Sequence, residues 1–229
     1  MTELDLYAQF EPLIVFLNEI DDLHSRYVDI LSRVGAKSVL DIGCGSGDLL
    51  VKIRSFAPNV KGIDISAEMI RRAKLKGVNA ECVDIASENG TYDTAISVFD
   101  VVNYFRSDEL PRFFSEALKR IERYFIFDVN THYGFAYVAT GDLVQKDGDV
   151  TACVQSTFER DIFISDFDLF SPLANGCYER SSWQIAQYYH PKELIVAALK
   201  EAGFDDARYE DIWLYGAPQA DKTLFIAER

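Results

Sequence analysis

Cysteine is scarce in this chain: Cys44, Cys82, Cys153 and Cys177 are the four present, and none stands in a C-x-x-C pair. Neither a disulfide framework nor a cysteine-based metal site is therefore expected. Cys44 falls in a glycine-rich stretch and Cys82 in an apolar run, and both read as buried thiols. Positive charge is also short, with 23 Lys and Arg against 37 Asp and Glu and a net charge of −14. Binding a polyanion needs a cationic surface to displace counterions, so nucleic acid is excluded as an expected partner. The one basic cluster, Arg71-Arg72-Ala73-Lys74-Leu75-Lys76, reads as a solvated helix face. An acidic surface suits a small amine, a neutral metabolite or a basic protein segment instead. No apolar run reaches membrane-spanning length and no basic leader with an apolar core opens the chain. The expectation is a cytoplasmic protein with no membrane partner.

What is there begins with Val39-Leu40-Asp41-Ile42-Gly43-Cys44-Gly45-Ser46-Gly47. An apolar run ends in an acid and breaks into glycines on alternate positions, as a buried strand does when its loop must let a ligand approach the backbone. A dinucleotide fingerprint needs its third glycine one position later, where Asp48 stands. Further short apolar runs end in acids: Val60 to Asp64, Ala80 to Asp84, and Tyr92 to Asp100. Asp64 lies about 20 residues beyond the glycines, where a βαβ unit places the acceptor for ribose hydroxyls.

The D-x-G-x-G-x-G form resembles motif I of the class I S-adenosylmethionine-dependent methyltransferases, and Tyr92 to Asp100 resembles their motif IV strand. The resemblance implies S-adenosyl-L-methionine as cofactor and S-adenosyl-L-homocysteine as product. It places Asp41, Gly43, Cys44, Gly45 and Gly47 around the cofactor, with Asp64, Ile65 and Met69 near the ribose. Asp84 would meet the adenine amino group, Ile85 would pack on the ring, and Phe99 would complete the site. Ser97 to Phe105, Phe127-Asp128-Val129-Asn130-Thr131, and Tyr189 through Gly203-Phe204 are similar to a bacterial small-molecule-type subgroup with a β-rich insertion after strand five. The Pro-Gly-Gly usual before strand five is replaced here by Arg120-Ile121-Glu122-Arg123, which puts that connection in doubt.

Alternating strand and helix signals predict a Rossmann-like α/β fold, a seven-stranded and mostly parallel sheet with helices on both faces. Leu13, Phe16, Leu17 and Ile20, then Leu23, Tyr27, Ile30, Leu31 and Val34, show helical spacing. From about Phe135 to Tyr189 the helical period is lost and polar and apolar residues alternate. The expected domains are a helical lid over 1–35, a cofactor domain over 36–134 and 190–229, and an antiparallel β insertion over 135–189 forming a substrate lid. Ile212 to Leu214 and Thr223 to Ala227 are expected as an antiparallel edge pair.

The implied reaction is an in-line displacement at a methyl group on sulfonium, giving an N- or O-methylated small molecule. A neutral thioether leaves, so alignment matters more than acid catalysis; positioning can supply roughly 7–11 kcal/mol. Tyr7, in an aromatic segment resembling a lid, and Asn130, His132 and Tyr133, after strand five, are the expected catalytic residues. His132 could serve as a base because its ordinary pKa lies near neutrality. Asn103, Arg160, Arg180, Trp183 and Tyr189 are the expected acceptor contacts. Trp183, Ile185 and Gln187 share one strand face while Arg180, Ser182 and Gln184 share the other, and only one face can line a pocket. No metal is expected, since nothing completes a ligand set around Asp166-Phe167-Asp168. The partner is a small-molecule acceptor, with a homodimer left open. The alternatives are a non-catalytic S-adenosylmethionine-binding regulator, methylation of a protein side chain, and an NAD-linked oxidoreductase on the same sheet.

Overall fold

The computed structural model describes residues 2–13 and 17–229. Phe16, one of the helically spaced residues, lies outside them. Five parallel strands build most of the main sheet: β1 (Ser38–Ile42), β2 (Asn59–Asp64), β3 (Ala80–Cys82), β4 (Tyr92–Ser97) and β5 (Ile121–Asn130). Two more, β10 (Asp206–Ile212) and β11 (Lys222–Glu228), complete an order of β10-β11-β5-β4-β1-β2-β3. Strand β11 runs antiparallel to both β5 and β10. This is the expected seven-stranded architecture, with β10 starting earlier than Ile212 and forming the edge.

Period-two alternation sorts the core into two layers. Leu40, Ala95, Phe125 and Phe127 face α5 (Leu110–Arg120) and α6 (Lys192–Ala202). Val39, Ile96 and Ile126 face α2 (Leu17–Val34) and α3 (Asp48–Ile53). Helix α5 carries Leu110, Phe113, Phe114 and Ala117 at helical spacing, and all four are buried. It ends at Arg120 and β5 begins at Ile121, so the missing Pro-Gly-Gly turn is met by direct continuation from helix to strand. Ser66 caps α4 (Ala67–Leu75) by accepting from the Met69 amide at 3.2 Å.

Cys44 is half-buried, whereas Cys82 is exposed. The burial expected for Cys82 fails because β3 is a three-residue edge strand whose last two residues face solvent. After β5 a short π-helical turn spans Gly134–Ala139, a helical element at the start of the stretch expected to be β-rich. Then come β6 (Gly141–Asp147), β7 (Val150–Glu159), β8 (Ile162–Pro172) and β9 (Tyr178–Tyr188), a separate four-stranded antiparallel sheet. Its inner face packs Ala152, Phe167, Leu169, Trp183 and Ile185 against Phe10 and Leu13, with Leu6 and Tyr7 of α1 (Glu3–Phe10) alongside. Helix α1 is also pinned to the start of α4: Asp5 accepts from the Ser66 hydroxyl at 2.8 Å and the Glu68 amide at 3.2 Å. No described helix is long and apolar enough to cross a membrane.

Candidate active site

The strand order reverses between β1 and β4, so the carboxyl edge opens a crevice at the loop after β1. That loop holds Gly43, Gly45 and Gly47 with φ of 77°, 50° and 78°, in the left-handed region. A side chain at Gly43 would collide with Val101 at 2.6 Å, so the glycine lets the loop after β4 close over it. A side chain at Gly45 would project into open space, as expected where backbone meets a ligand.

On the β2 side of the crevice Asp64 accepts from the Gly45 amide at 2.9 Å and the Ser66 amide at 2.8 Å. Each bond uses one oxygen, leaving further lone pairs for two hydroxyls. Burial raises its pKa against the pull of these amides. Ile65 beside it is 57% exposed, an apolar surface open to a planar ring. Asp41 is buried with its Oδ1 unpartnered, and burial together with the charge on Asp64 raises its pKa to about 8. Met69 is buried on α4, and the Cys44 sulfur packs on Gly62, where burial pushes the thiol pKa up.

Asp84 accepts from the Ala86 amide at 2.8 Å and caps a short turn over Ile85–Ser87. Ile85 is buried in the core layer beneath the sheet. With Asp84 it lines a cavity of about 180 Å³ shared with Phe105, Phe113, Arg112 and Glu116. Ile85 is thus packed into the core layer while lining this cavity, and Ile65 is the exposed apolar side chain beside Asp64. A larger cavity of about 340 Å³ lies between α2 and Trp213 and shares no lining residue with the crevice.

On the β4 side, Phe99 and Asp100 have φ of 59° and 65°, strained for residues with side chains. The Lys222 ammonium, 1% exposed, bonds Asp100, lies 3.2 Å from Asp128 and 3.4 Å from the Asn130 Oδ1, and sits 5.6 Å from the Phe99 ring centre. Asp128 also accepts from the Tyr27 hydroxyl at 2.8 Å and the Phe99 amide at 3.0 Å. Burial pushes the Asp100 carboxyl up to about 6 despite the lysine. For Lys222 burial acts downward, but the two carboxylates outweigh it and its pKa is raised. The phenols of Tyr7, Tyr104 and Tyr215 all lie within the field of Asp100, and burial raises the pKa of each. Asp221 holds the Tyr215 loop by accepting from the Leu214 and Tyr215 amides, each at 3.0 Å.

The other expected site residues separate into groups. Asn130 donates its amide to the Asn103 Oδ1 at 2.9 Å, and the Asn103 side chain donates to the Tyr188 carbonyl at 2.7 Å. Asn103 is wholly buried, so its amide ties β5 to β9; the acceptor contact expected of it is corrected to a clamp. His132 is exposed and edge-on to Phe158 and Tyr189, with ring centres at 5.1 and 5.3 Å. Tyr133 stacks on Tyr137 at 5.0 Å. Arg160 has φ 52° at the exposed tip of the β7–β8 hairpin, its pocket role corrected because the turn turns it outward. Arg180 is corrected too: it lies on the outer, solvent-facing side of the insertion, paired with Asp168 at 2.8 Å. Trp183 lies on the inner face toward α1, stacked on Phe167 at 5.1 Å. Of the two strand faces, the one carrying Trp183 and Ile185 is the one that packs against α1. The sequence does not single out Lys222 or Tyr215; a lysine heading an apolar strand is a faint signal for the first, and nothing local marks the second.

Residues 39–123 match the family model described as a methyltransferase domain. A ubiquinone biosynthesis O-methyltransferase of Paraburkholderia xenovorans is 35% identical over 99 residues, 39% of this chain and 41% of that protein. The chain thus spans about two fifths of the length of this curated relative. Among solved structures, an S-adenosylmethionine-dependent methyltransferase from Clostridium acetobutylicum has a TM-score of 0.75 at 21% identity, covering 91% of both chains. A sugar N-methyltransferase from Streptoalloteichus has a TM-score of 0.76 at 21% identity, covering 100% of this chain and 93% of its own. At such identity the shared property is the fold.

Proposed function

We propose that this chain, which carries a methyltransferase domain over residues 39–123, transfers a methyl group from S-adenosyl-L-methionine to a nitrogen or oxygen of a small molecule. The observation that carries the reading is the pairing of Asp64 with the Gly45 amide beside open space. It joins the hydroxyl acceptor to the loop along which a nucleoside with a charged tail would lie. Exposed Ile65 supports the same reading, since it offers apolar surface beside that acceptor. The small-molecule acceptor, the absence of nucleic-acid partners, a cytoplasmic location and a homodimer belong to this proposal, the second resting on the net charge of −14.

When bound, the cofactor supplies a methyl group activated on sulfonium and a neutral leaving group. The chain's part is then mainly alignment. Asp64 would fix the nucleoside by accepting from two hydroxyls, a geometry a carboxylate allows. Helix α1, pinned through Asp5, would roof the crevice and exclude water. Tyr7, with its pKa raised by burial, keeps its proton at working pH and serves as a donor and an apolar wall.

Asp64→Ala is expected to weaken S-adenosylmethionine binding by about 1–3 kcal/mol, measured by isothermal titration. Unchanged affinity in a folded variant, or a preference of the wild-type chain for NAD, would remove the reading. Methyl transfer from the bound cofactor to an amine or phenol panel separates an enzyme from a binding protein.

A further inference from the structure

Three charged groups are buried together at the end of β4, and they do not balance. Asp100, Asp128 and Lys222 sum to one excess negative charge. Asp128 is wholly buried and accepts from the Tyr27 hydroxyl, the Phe99 amide and Lys222. The excess therefore falls on Asp100, whose side chain is 17% exposed and is the one member open to a ligand. A buried charge without a partner is unfavourable, so the site favours a cation.

Its surroundings suit one. The phenols of Tyr7 from α1, Tyr104 from the turn over Val101–Tyr104, and Tyr215 lie within the field of Asp100, and the Phe99 ring adjoins Lys222. Aromatic faces beside a carboxylate stabilise an ammonium through its charge as well as its hydrogen bonds. A second observation comes from the insertion. Trp183, 7% exposed, belongs to the same apolar cluster as Tyr7 and Tyr104, and its Nε1 has no partner. Buried indole donors are normally satisfied, so this one invites an oxygen from a molecule outside the chain. Asp100 also stands across the switch in strand order from Asp64, on the side away from the nucleoside.

We propose that the acceptor is a small amine bearing an oxygen function, its nitrogen held against Asp100 and its oxygen accepting from the Trp183 indole. The proposal rests on the methyl-transfer reading. Asp100 is then a catalytic residue, and Lys222 and Asp128 are positioning residues that fix its carboxylate. The amine enters as its ammonium against Asp100 and passes one proton to that carboxylate; the freed lone pair then forms the new N–C bond as the C–S bond breaks, with that bond's electron pair remaining on sulfur. The methylated product leaves carrying the positive charge, and the Asp100 carboxyl releases its proton to water. The pKa of about 6 keeps Asp100 ionised to accept it above that pH. The groups around it are Lys222 from β11 and Asp128 from β5, with the phenols of Tyr7, Tyr104 and Tyr215 within its field.

The test uses matched pairs with the full chain: tyramine against tyrosol, glucosamine against glucose, and 4-aminocyclohexanol against 1,4-cyclohexanediol. Methyl transfer and binding to the S-adenosylhomocysteine complex are both measured. Amines are expected to bind or react at least tenfold better than their alcohols. Asp100→Asn is expected to lose about a hundredfold in kcat/KM for the amine, with affinity for S-adenosylmethionine changed less than threefold. Because this variant leaves Lys222 facing an amide, Asp100→Asn with Lys222→Met provides a second variant, and melting curves verify both folds. Equal use of alcohols, or no amine signal while cofactor binds normally, overturns the amine assignment. So does a variant that keeps amine activity but loses its preference for S-adenosylmethionine over S-adenosylhomocysteine, which would give Asp100 to the sulfonium. Failure of wild type to bind the cofactor overturns the underlying reading instead.

Discussion

At the scale of single residues the site is built from acids held away from their ordinary protonation. Asp41 is the clearest: folded, it keeps its proton up to about pH 8, whereas the unfolded side chain releases it near 3.8. Folding therefore takes up a proton between these values, and stability falls as pH rises from about 4 to about 8. Asp100 has the same sign over a narrower window, from 3.8 to about 6. In cofactor-free protein the melting temperature is expected to drop across this range. Asp41→Asn should flatten that drop, melting higher than wild type at pH 8 by roughly 2–4 °C for each kcal/mol recovered. A pair of melting curves at pH 5 and pH 8 decides it; an unaltered slope in the variant would place the titration elsewhere. The acids themselves were legible in the sequence because each ends an apolar run. Their protonation was not, since burial and the Asp64 charge come from strands brought together in space.

Among elements, α1 shows how local and long-range signals combine. Thr2 and Asp5 form a capping box within the helix, with the Asp5 amide donating to the Thr2 hydroxyl at 3.2 Å and the Thr2 amide donating to Asp5 at 2.9 Å. The same Asp5 carboxylate reaches across to the first turn of α4, where amides are unpaired and negative charge is favoured. Asp5→Ala is expected to weaken α1 and its docking by about 0.5–2 kcal/mol, the range for losing a cap. Faster amide exchange confined to α1 and the start of α4 is the readout, with cofactor release accelerated. The aromatic segment of α1 was legible, but its anchor was not, because Asp5 and Ser66 are far apart in sequence. The insertion divides similarly. Alternation announced its strands, while the face bearing Trp183 was selected only by packing against Phe10 and Leu13.

For the molecule as a whole, Lys222 couples the two directions of the main sheet. It heads the antiparallel β11 yet supplies the cation for carboxylates at the ends of β4 and β5. Lys222→Met removes the charge from a pair of neighbouring buried carboxylates, and such losses cost about 3–5 kcal/mol. The variant is expected to be least stable at neutral and alkaline pH and to recover as pH falls, when one carboxyl is protonated; denaturant melts at pH 5 and pH 8 measure this. The order of strands and helices, the glycine loop and Asp64 were all determined by the sequence alone, because period, turn chemistry and strand-end acids are local properties. The tertiary structure alone decided that Lys222 neutralises Asp128, that Arg180 faces outward and Trp183 inward, and that Asp100 carries the unbalanced charge. Those outcomes depend on which side chains lose water together, and that is settled only when distant segments meet.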